Sequence, residues 1–331
     1  MDSLFRDKLP QINMGMYYGE ESGLPLYYRV YPGSISDKTH LKYMVADNEF
    51  INGKHTRFVM DRGFYSKENL QYLTQGGYRF VIALPGSLKY CQELVETHSA
   101  ELINHSEFRL GAGLPYGKSY ESTVLGFRMN IHLYYDPEKA LRETTALYEV
   151  LEAQENDLKL MEEPPEKKLH YDRYFHINRS KDGKLGFVRN FQAIDAALKA
   201  CGFFLIAETD FKKTTAEILD IYRRRDTIEK SFDDLKNELD MKRLRIHTSE
   251  TAQGKVFVSF LSLIVRSYLL KRLKDYMRKN GLTLRKILLE LDKIKTIQYP
   301  GSEDERLLNP LTKQQREIYE LLELPMPECR G

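Results

Sequence analysis

The sequence predicts a mixed α/β protein on three observations. Short apolar runs of strand length alternate with helical segments in the first 87 residues, β-type alternation interrupts this pattern between 88 and 201, and helical periodicity dominates after residue 210. The opening reads as a hairpin, with QINMGMYYG and LPLYYRVYPG as aromatic-rich arms around the turn-forming EESG. A short helix is expected near Lys38 to Asn48. Next come TRFVMD, an apolar run closed by Asp61, then SKENLQYLTQGG with Ser66 as N-cap, then the apolar run YRFVIALP. Strands joined through a helix imply parallel pairing and a right-handed crossover, which places Asp61 at the carboxyl end of a central strand.

Between Leu88 and Cys201 the character changes. Phe127, Met129, Ile131 and Leu133 alternate with polar neighbours as in a half-buried strand, and Asp136 with Pro137 opens a long helix that EEPPEKK ends. A hairpin is expected to turn on Asp182 and Gly183. FFLIAETD (Phe203 to Asp210) resumes the buried-strand pattern, and helices follow at Thr214 to Asp240, Glu250 to Asn280 and Leu282 to Ile297, with KQQREIYELLEL as one more short helix.

A chain of 331 residues with 42% hydrophobic and 30% charged residues can bury a sizeable core, which argues against disorder. Net charge is +2, yet residues 201 to 300 hold 21 Lys+Arg against 14 Asp+Glu, an excess of +7 that leaves −5 for the remainder. A polyanion would prefer that segment. Cys91, Cys201 and Cys329 lie far apart without CxxC pairing, which fits reduced thiols in a cytoplasm. The longest apolar run, VFVSFLSLIV, is too short to span a bilayer and reads as a buried helix, and the N-terminus shows no signal-peptide pattern.

The stretch IYRRRDTIEKSFDDLKNEL carries the densest chemistry. With Glu229 at zero and about 100° per residue on one continuous helix, Ile221, Ile228, Phe232, Leu235 and Leu239 form one apolar stripe, while Tyr222, Arg225 and Lys236 share the line of Glu229 at its shoulder. Such a carboxylate would be half sheltered. The same residues also suit a solvated face, with Arg225 and Glu229 an i, i+4 pair. Spacing separates the two readings: Y-x2-R-x3-E-x6-K should arise by chance on the order of once in a hundred such chains.

That spacing resembles the signature of bacterial insertion-sequence transposases of the DDE superfamily, in the branch named for those four letters. VMDRGFYSKENLQYL looks like the family's second-aspartate segment, INMGMYYGEESGLPLYYRVYPGSISD like the hairpin before it, and RIHTSETAQGKVFVSFLSLIVRSYLL like the helix after the glutamate. The resemblance covers most of residues 8 to 275. It implies an α/β fold with an RNase H-like core interrupted by a β-containing insertion subdomain and followed by a helical C-terminal region. The corresponding division is 1–87 and 202–280 for the core, 88–201 for the insertion and 281–331 for the helical tail.

The resemblance further implies in-line attack on phosphodiesters assisted by two Mg²⁺ (or Mn²⁺) ions, with Asp61 and Glu229 as catalytic metal ligands and Tyr222, Arg225 and Lys236 on DNA phosphates. Asp61 alone also reads as a turn or N-cap residue. The clusters at 223–225, 242–245 and 271–274, and His247, could touch DNA or serve as solvated faces. The family's first catalytic Asp has no match: Asp2 and Asp7 lack an apolar strand, and Glu20 and Glu21 sit in a turn. The expectation is therefore an N-terminally truncated transposase, inactive in transposition alone, that binds transposon ends and target DNA in the cytoplasm as a homodimer or as a heteromer with full-length transposase. The alternative is a non-catalytic inhibitor of full-length copies.

Overall fold

The aromatic arms of the opening hairpin pair antiparallel. Strand β1 (Ile12–Tyr18) runs against β2 (Pro25–Pro32) from Ile12↔Pro32 to Tyr18↔Pro25, with an irregularity between Tyr17 and Tyr18, and Gly23 takes a left-handed φ of 64° in the turn. The computed structural model describes residues 12–19, 21–33, 35, 37–50, 57–161, 171–179, 185–239, 241, 248–298 and 306–327. These fall into a central unit, 36–223, and a terminal unit that joins 1–35 to 224–331.

In the central unit, α1 (Asp37–Phe50) precedes β3 (Arg57–Met60), α2 (Lys67–Gln75) and β4 (Arg79–Leu84), with β3 and β4 parallel as predicted. Then follow α3 (Lys89–Asn104), β5 (Tyr116–Val124), β6 (Phe127–Tyr135), α4 (Pro137–Leu160), β7 (Phe175–Arg179), β8 (Leu185–Arg189), α5 (Phe191–Ala200), β9 (Phe203–Glu208) and α6 (Thr215–Arg223). One five-stranded sheet has the order β3-β4-β9-β6-β5, and β9 runs antiparallel to both β4 and β6. Strand β3 is thus an outer strand among the described residues, whereas the sequence placed it centrally. The reason is that β9 takes the other side of β4, and the β5–β6 hairpin, drawn from the segment expected as an insertion, extends the sheet beyond β9.

Both faces of this sheet are covered, so its inner strands read as near-continuous apolar runs. Phe80, Val81, Ile82, Ile131, Leu133, Ile206 and Ala207 are essentially sealed from solvent. Helix α3 packs on β5 and β6, and α6 packs on β3, β4 and β5. The alternation of β5 separates the two contacts: Lys118 and Tyr120 meet Glu101 and His98 of α3, while Gly117 lies under Thr215 of α6. A Cβ at Gly117 would come within 2.7 Å of the Thr215 methyl, so this glycine sets how closely α6 can approach.

A smaller core forms where α4 and α5 meet the β7–β8 hairpin, around Leu151, Leu158, Tyr174, Phe175 and Ile194. Asp136 caps α4 ahead of Pro137 as predicted, accepting from the N–H groups of Glu138 and Lys139. The hairpin arms pair antiparallel, and the expected turn at Asp182 and Gly183 lies outside the described residues.

The terminal unit adds α7 (Asp226–Asn237), α8 (Ser249–Asn280), α9 (Leu284–Leu291), β10 (Thr296–Gln298), β11 (Arg306–Leu308) and α10 (Lys313–Leu321). Here α8 is the backbone of the packing. Its C-terminal half joins α9 and α10 through Leu273, Leu284, Ile287 and Ile318, and the Phe260 ring packs tilted against Tyr28 of the hairpin, 4.6 Å between centroids. The helix expected over 282–297 stops at Leu291, and 296–298 pairs with β11 instead. The VFVSFLSLIV run is helical but only half buried: Val256, Ser259, Phe260 and Leu263 are covered, and Phe257, Val258, Leu261 and Val265 are exposed. Among the described residues, no helix is long and apolar enough to cross a membrane.

Candidate active site

The predicted helix over 214–240 is two helices. It breaks at Arg224 and Arg225, where the N–H groups of Thr227 and Ile228 bond to the carbonyls of Arg224 and Arg225 and α7 restarts. The boundary between the units falls at the same point. Two cores compete for this stretch. Ile218, Leu219 and Ile221 of α6 bury against Val81, Tyr134 and Ile206 of the central unit, whereas Leu235 and Ser231 of α7 are buried in the terminal unit. A single helical wheel therefore does not relate Tyr222 to Glu229.

Each predicted residue can be placed within its own unit. Asp61 follows β3 and caps the 3₁₀ turn Arg62–Phe64, its carboxylate accepting from the N–H of Arg62, while Ser66 caps α2 by accepting from Asn69. The N-cap reading of Asp61 is thus realised locally. A carboxylate has further acceptor sites, so capping does not exhaust it. Tyr222 lies in the last turn of α6, half buried against the Val81–Tyr134–Ile218 cluster. These two belong to the central unit.

Arg225, Glu229 and Lys236 belong to the terminal unit. Arg225 Nη1 lies 3.0 Å from Glu229 Oε1, an i, i+4 pair in which the arginine is 18% exposed and the glutamate 59%. The half-sheltered carboxylate expected from the wheel is instead a largely solvated one, because the buried stripe of α7 runs through Ser231 and Leu235 and turns Glu229 outward. Lys236 is exposed in the last turn. What holds α7 in place is a polar seam with α8: Tyr18 Oη bonds Ser231 and Ser267, and Arg266 bonds Asp234 at 2.9 Å.

Of the basic clusters, 242–245 and His247 lie outside the described residues. Lys271 donates to the carbonyls of Glu21 and Ser22 in the hairpin turn, and Arg272 to the carbonyl of Leu321 and to Glu323. Those two cations thus tie the terminal unit together. Among the described residues, no three His, Cys, Asp or Glu side chains gather as a metal cage. Cys91 and Cys201 are free thiols, and burial pushes the Cys91 thiol up to about 12. Cys91 is therefore no nucleophile at neutral pH.

One polar cluster escaped the sequence reading. Glu208, at the end of β9, and His132 of β6 are both 0% exposed, with Nε2 and Oε1 3.7 Å apart. Glu208 accepts from the N–H groups of Asp210 and Phe211, and His132 Nδ1 meets Thr215 Oγ1 at 3.2 Å. Burial would raise the Glu208 pKa, but hydrogen bonds from His132, from the Phe211 and Asp210 backbone and from Asn130 outweigh it and hold the carboxyl below its ordinary range. Next to it Asp210 pairs with Arg57 at 2.6 Å and Arg79 at 3.5 Å. With Glu208 and His132 sealed from solvent and Arg79 at its outer edge, this network ties the residues after β9 to the start of α6. The signal was present in FFLIAETD, where two acids close an apolar run as Asp61 does.

The sequence of these elements is similar to a known family: the model of the transposase DDE domain matches residues 6–265. No curated protein matches the sequence. With about four fifths of its length matched, including β3 with Asp61 and α7 with Glu229, the chain belongs to the transposase DDE domain family.

Proposed function

We propose that this chain is the catalytic region of a DDE transposase of the Y-x2-R-x3-E-x6-K branch, built on an RNase H-like core, and that it does not carry out transposition on its own. The observation that carries this reading is the family match across both Asp61 and Glu229, at a strand end and on a packed helix. Carboxylates that hold catalytic ions act as a unit, so an incomplete set costs most of the rate. When bound, Mg²⁺ or Mn²⁺ would polarise the attacking and leaving oxygens of a phosphodiester.

DNA is the proposed partner. Exposed Lys236, together with Arg225 and Tyr222, would position its phosphates without reading bases. Salt-dependent binding follows, with affinity falling as bound counterions are competed back. In a nicking assay on supercoiled DNA with Mg²⁺ or Mn²⁺, the native chain is expected near background. Any nicking above background should vanish in both Asp61→Ala and Glu229→Ala, and equal nicking by native and Glu229→Ala chains would remove the catalytic assignment.

A second reading, a non-catalytic chain that pairs with other copies of the transposase and suppresses them, is favoured by the exposed apolar face of α8. Mixing the chain with an active member of the family should lower transposition. No drop at a several-fold excess would count against suppression.

A further inference from the structure

A single 3₁₀ turn with an exposed glycine in its middle is weak by itself, and such a turn carries Asp61. The Phe64 N–H bonds to the Asp61 carbonyl at 3.0 Å and the Tyr65 N–H to that of Arg62 at 3.1 Å, yet no side chain of Arg62–Phe64 is buried. The turn lies against α1 and β4. Its firmest hold on the rest of the central unit comes from outside, through the side chain of Asn69 on α2.

We infer that Asn69 is a positioning residue for Asp61, fixing the backbone from which that carboxylate projects at the end of β3. Asn69 is 2% exposed, and its Nδ2 donates to the carbonyls of Phe64 and Lys38, both at 2.9 Å. Two carbonyls at one atom require the amide nitrogen there, and both of its protons are spent. The Asn69 backbone N–H bonds to Ser66 Oγ at 3.1 Å. One residue therefore joins the last carbonyl of the Asp61 turn, the first turn of α1 and the cap of α2. Docking of α2 has its own source, since Leu70 and Leu73 on the same helix are sealed from solvent. What the amide adds is direction. Without it, the carbonyl of half-buried Phe64 regains a bond only by turning toward water, and that rotation passes back through the turn to Asp61.

A second tether is weaker. Tyr90, in the first turn of α3, donates to the Tyr65 hydroxyl at 3.3 Å, beyond the usual O–H···O length, whereas both Asn69 bonds are of ordinary length. The role of Asn69 rests on Asp61 being the divalent-ion ligand proposed above. Groups that orient a metal ligand are worth about 10–100-fold in metal affinity, and Asn69, which acts through the main chain, belongs at the lower end.

Mn²⁺ titrated into the full chain, with the free ion followed by electron paramagnetic resonance, tests this role. Asp61→Ala defines the Asp61-dependent site. Asn69→Leu, which keeps the volume and removes the donors, should bind Mn²⁺ at that site about tenfold more weakly while circular dichroism and the melting curve show it folded at the assay temperature. Tyr90→Phe should stay within about twofold of the native chain. Gly63→Ala added to Asn69→Leu should recover part of the affinity, because no atom lies within 4 Å of a Cβ there and alanine narrows the backbone freedom of the turn. Such recovery would not follow if Asn69 merely docked α2 on α1. If Asp61→Ala binds Mn²⁺ as the native chain does, the assignment of Asp61 as a ligand fails and the role of Asn69 falls with it. If Asp61→Ala loses the site but folded Asn69→Leu binds as the native chain does, the role of Asn69 alone is overturned. An affinity loss in Asn69→Leu that Gly63→Ala does not relieve overturns it as well. Should Asn69→Leu unfold, Asn69→Ser, whose short hydroxyl cannot bridge both carbonyls, decides the question by the same titration.

Discussion

Glu208 in the central unit and Glu229 in the terminal unit are both carboxylates beside a basic side chain, His132 in one case and Arg225 in the other. Glu208 is sealed, and backbone N–H groups and a histidine satisfy it. Glu229 stands largely in water with a single helical ion pair. A buried acid with every lone pair engaged stabilises its surroundings and offers nothing to a substrate, whereas an exposed acid contributes little to the fold and is free to take up chemistry. The contrast belongs to these two sites and not to the units as wholes, since both units leave large apolar side chains exposed, such as Leu141 and Phe191 in the central unit and Val258 and Val265 in the terminal one.

Substitutions can break or sharpen that contrast. The largest loss is expected from Tyr134→Ala in the central unit, which removes a fully buried ring stacked 4.9 Å from Phe204 and its hydrogen bond to the Thr215 carbonyl. About 4 kcal/mol of unfolding free energy should go, read from denaturant midpoints. Glu208→Ala comes next at about 2–3 kcal/mol, because it strands the N–H groups of Asp210 and Phe211 and the His132 ring.

Glu208 also has a pH signature. Its folded pKa lies below the unfolded value, so its contribution is fully present above the unfolded value of about 4.3 and is lost as pH falls through the folded one. The native chain should therefore lose stability more steeply below about pH 4.3 than Glu208→Gln does, as denaturation midpoints measured from pH 5 to pH 3 would reveal. In the terminal unit, Thr248→Ala removes the N-cap of α8, whose hydroxyl accepts from Thr251, at a cost of about 1 kcal/mol by the same measurement. The smallest effect is expected for Glu229→Ala, within about 0.5 kcal/mol of the native stability. A loss above 2 kcal/mol there would mean that Glu229 is a structural acid like Glu208, and the comparison would collapse.

Much of this architecture was legible in the residues themselves. Aromatic arms around EESG gave the β1–β2 hairpin, TRFVMD and YRFVIALP gave a parallel pair with Asp61 at a strand end, and Asp136–Pro137 marked the start of α4. These are local features, fixed by side-chain periodicity and by which residues can satisfy the first N–H groups of a helix. The Tyr222, Arg225, Glu229, Lys236 spacing pointed to the family that the 6–265 match established.

Only the tertiary structure decided the rest. The periodicity of Ile221, Ile228, Leu235 and Leu239 suits one straight helix, and the break at Arg224 and Arg225 arises because its two halves bury against different cores. The insertion of β9 beside β4, which leaves β3 outermost, depends on pairing between segments more than 100 residues apart, and a strand's own sequence does not encode its neighbour. Likewise VFVSFLSLIV is apolar enough for burial on every side, and whether each side finds a partner depends on what else packs there. By itself the sequence determined the opening hairpin, the β3–β4 pair, the start of α4 and the family, since these follow from local chemistry and spacing; where the 214–240 and 282–297 segments stop being helical, together with burial, exposure and strand order, was settled by long-range packing, which distributes a limited interior among more apolar faces than it can cover.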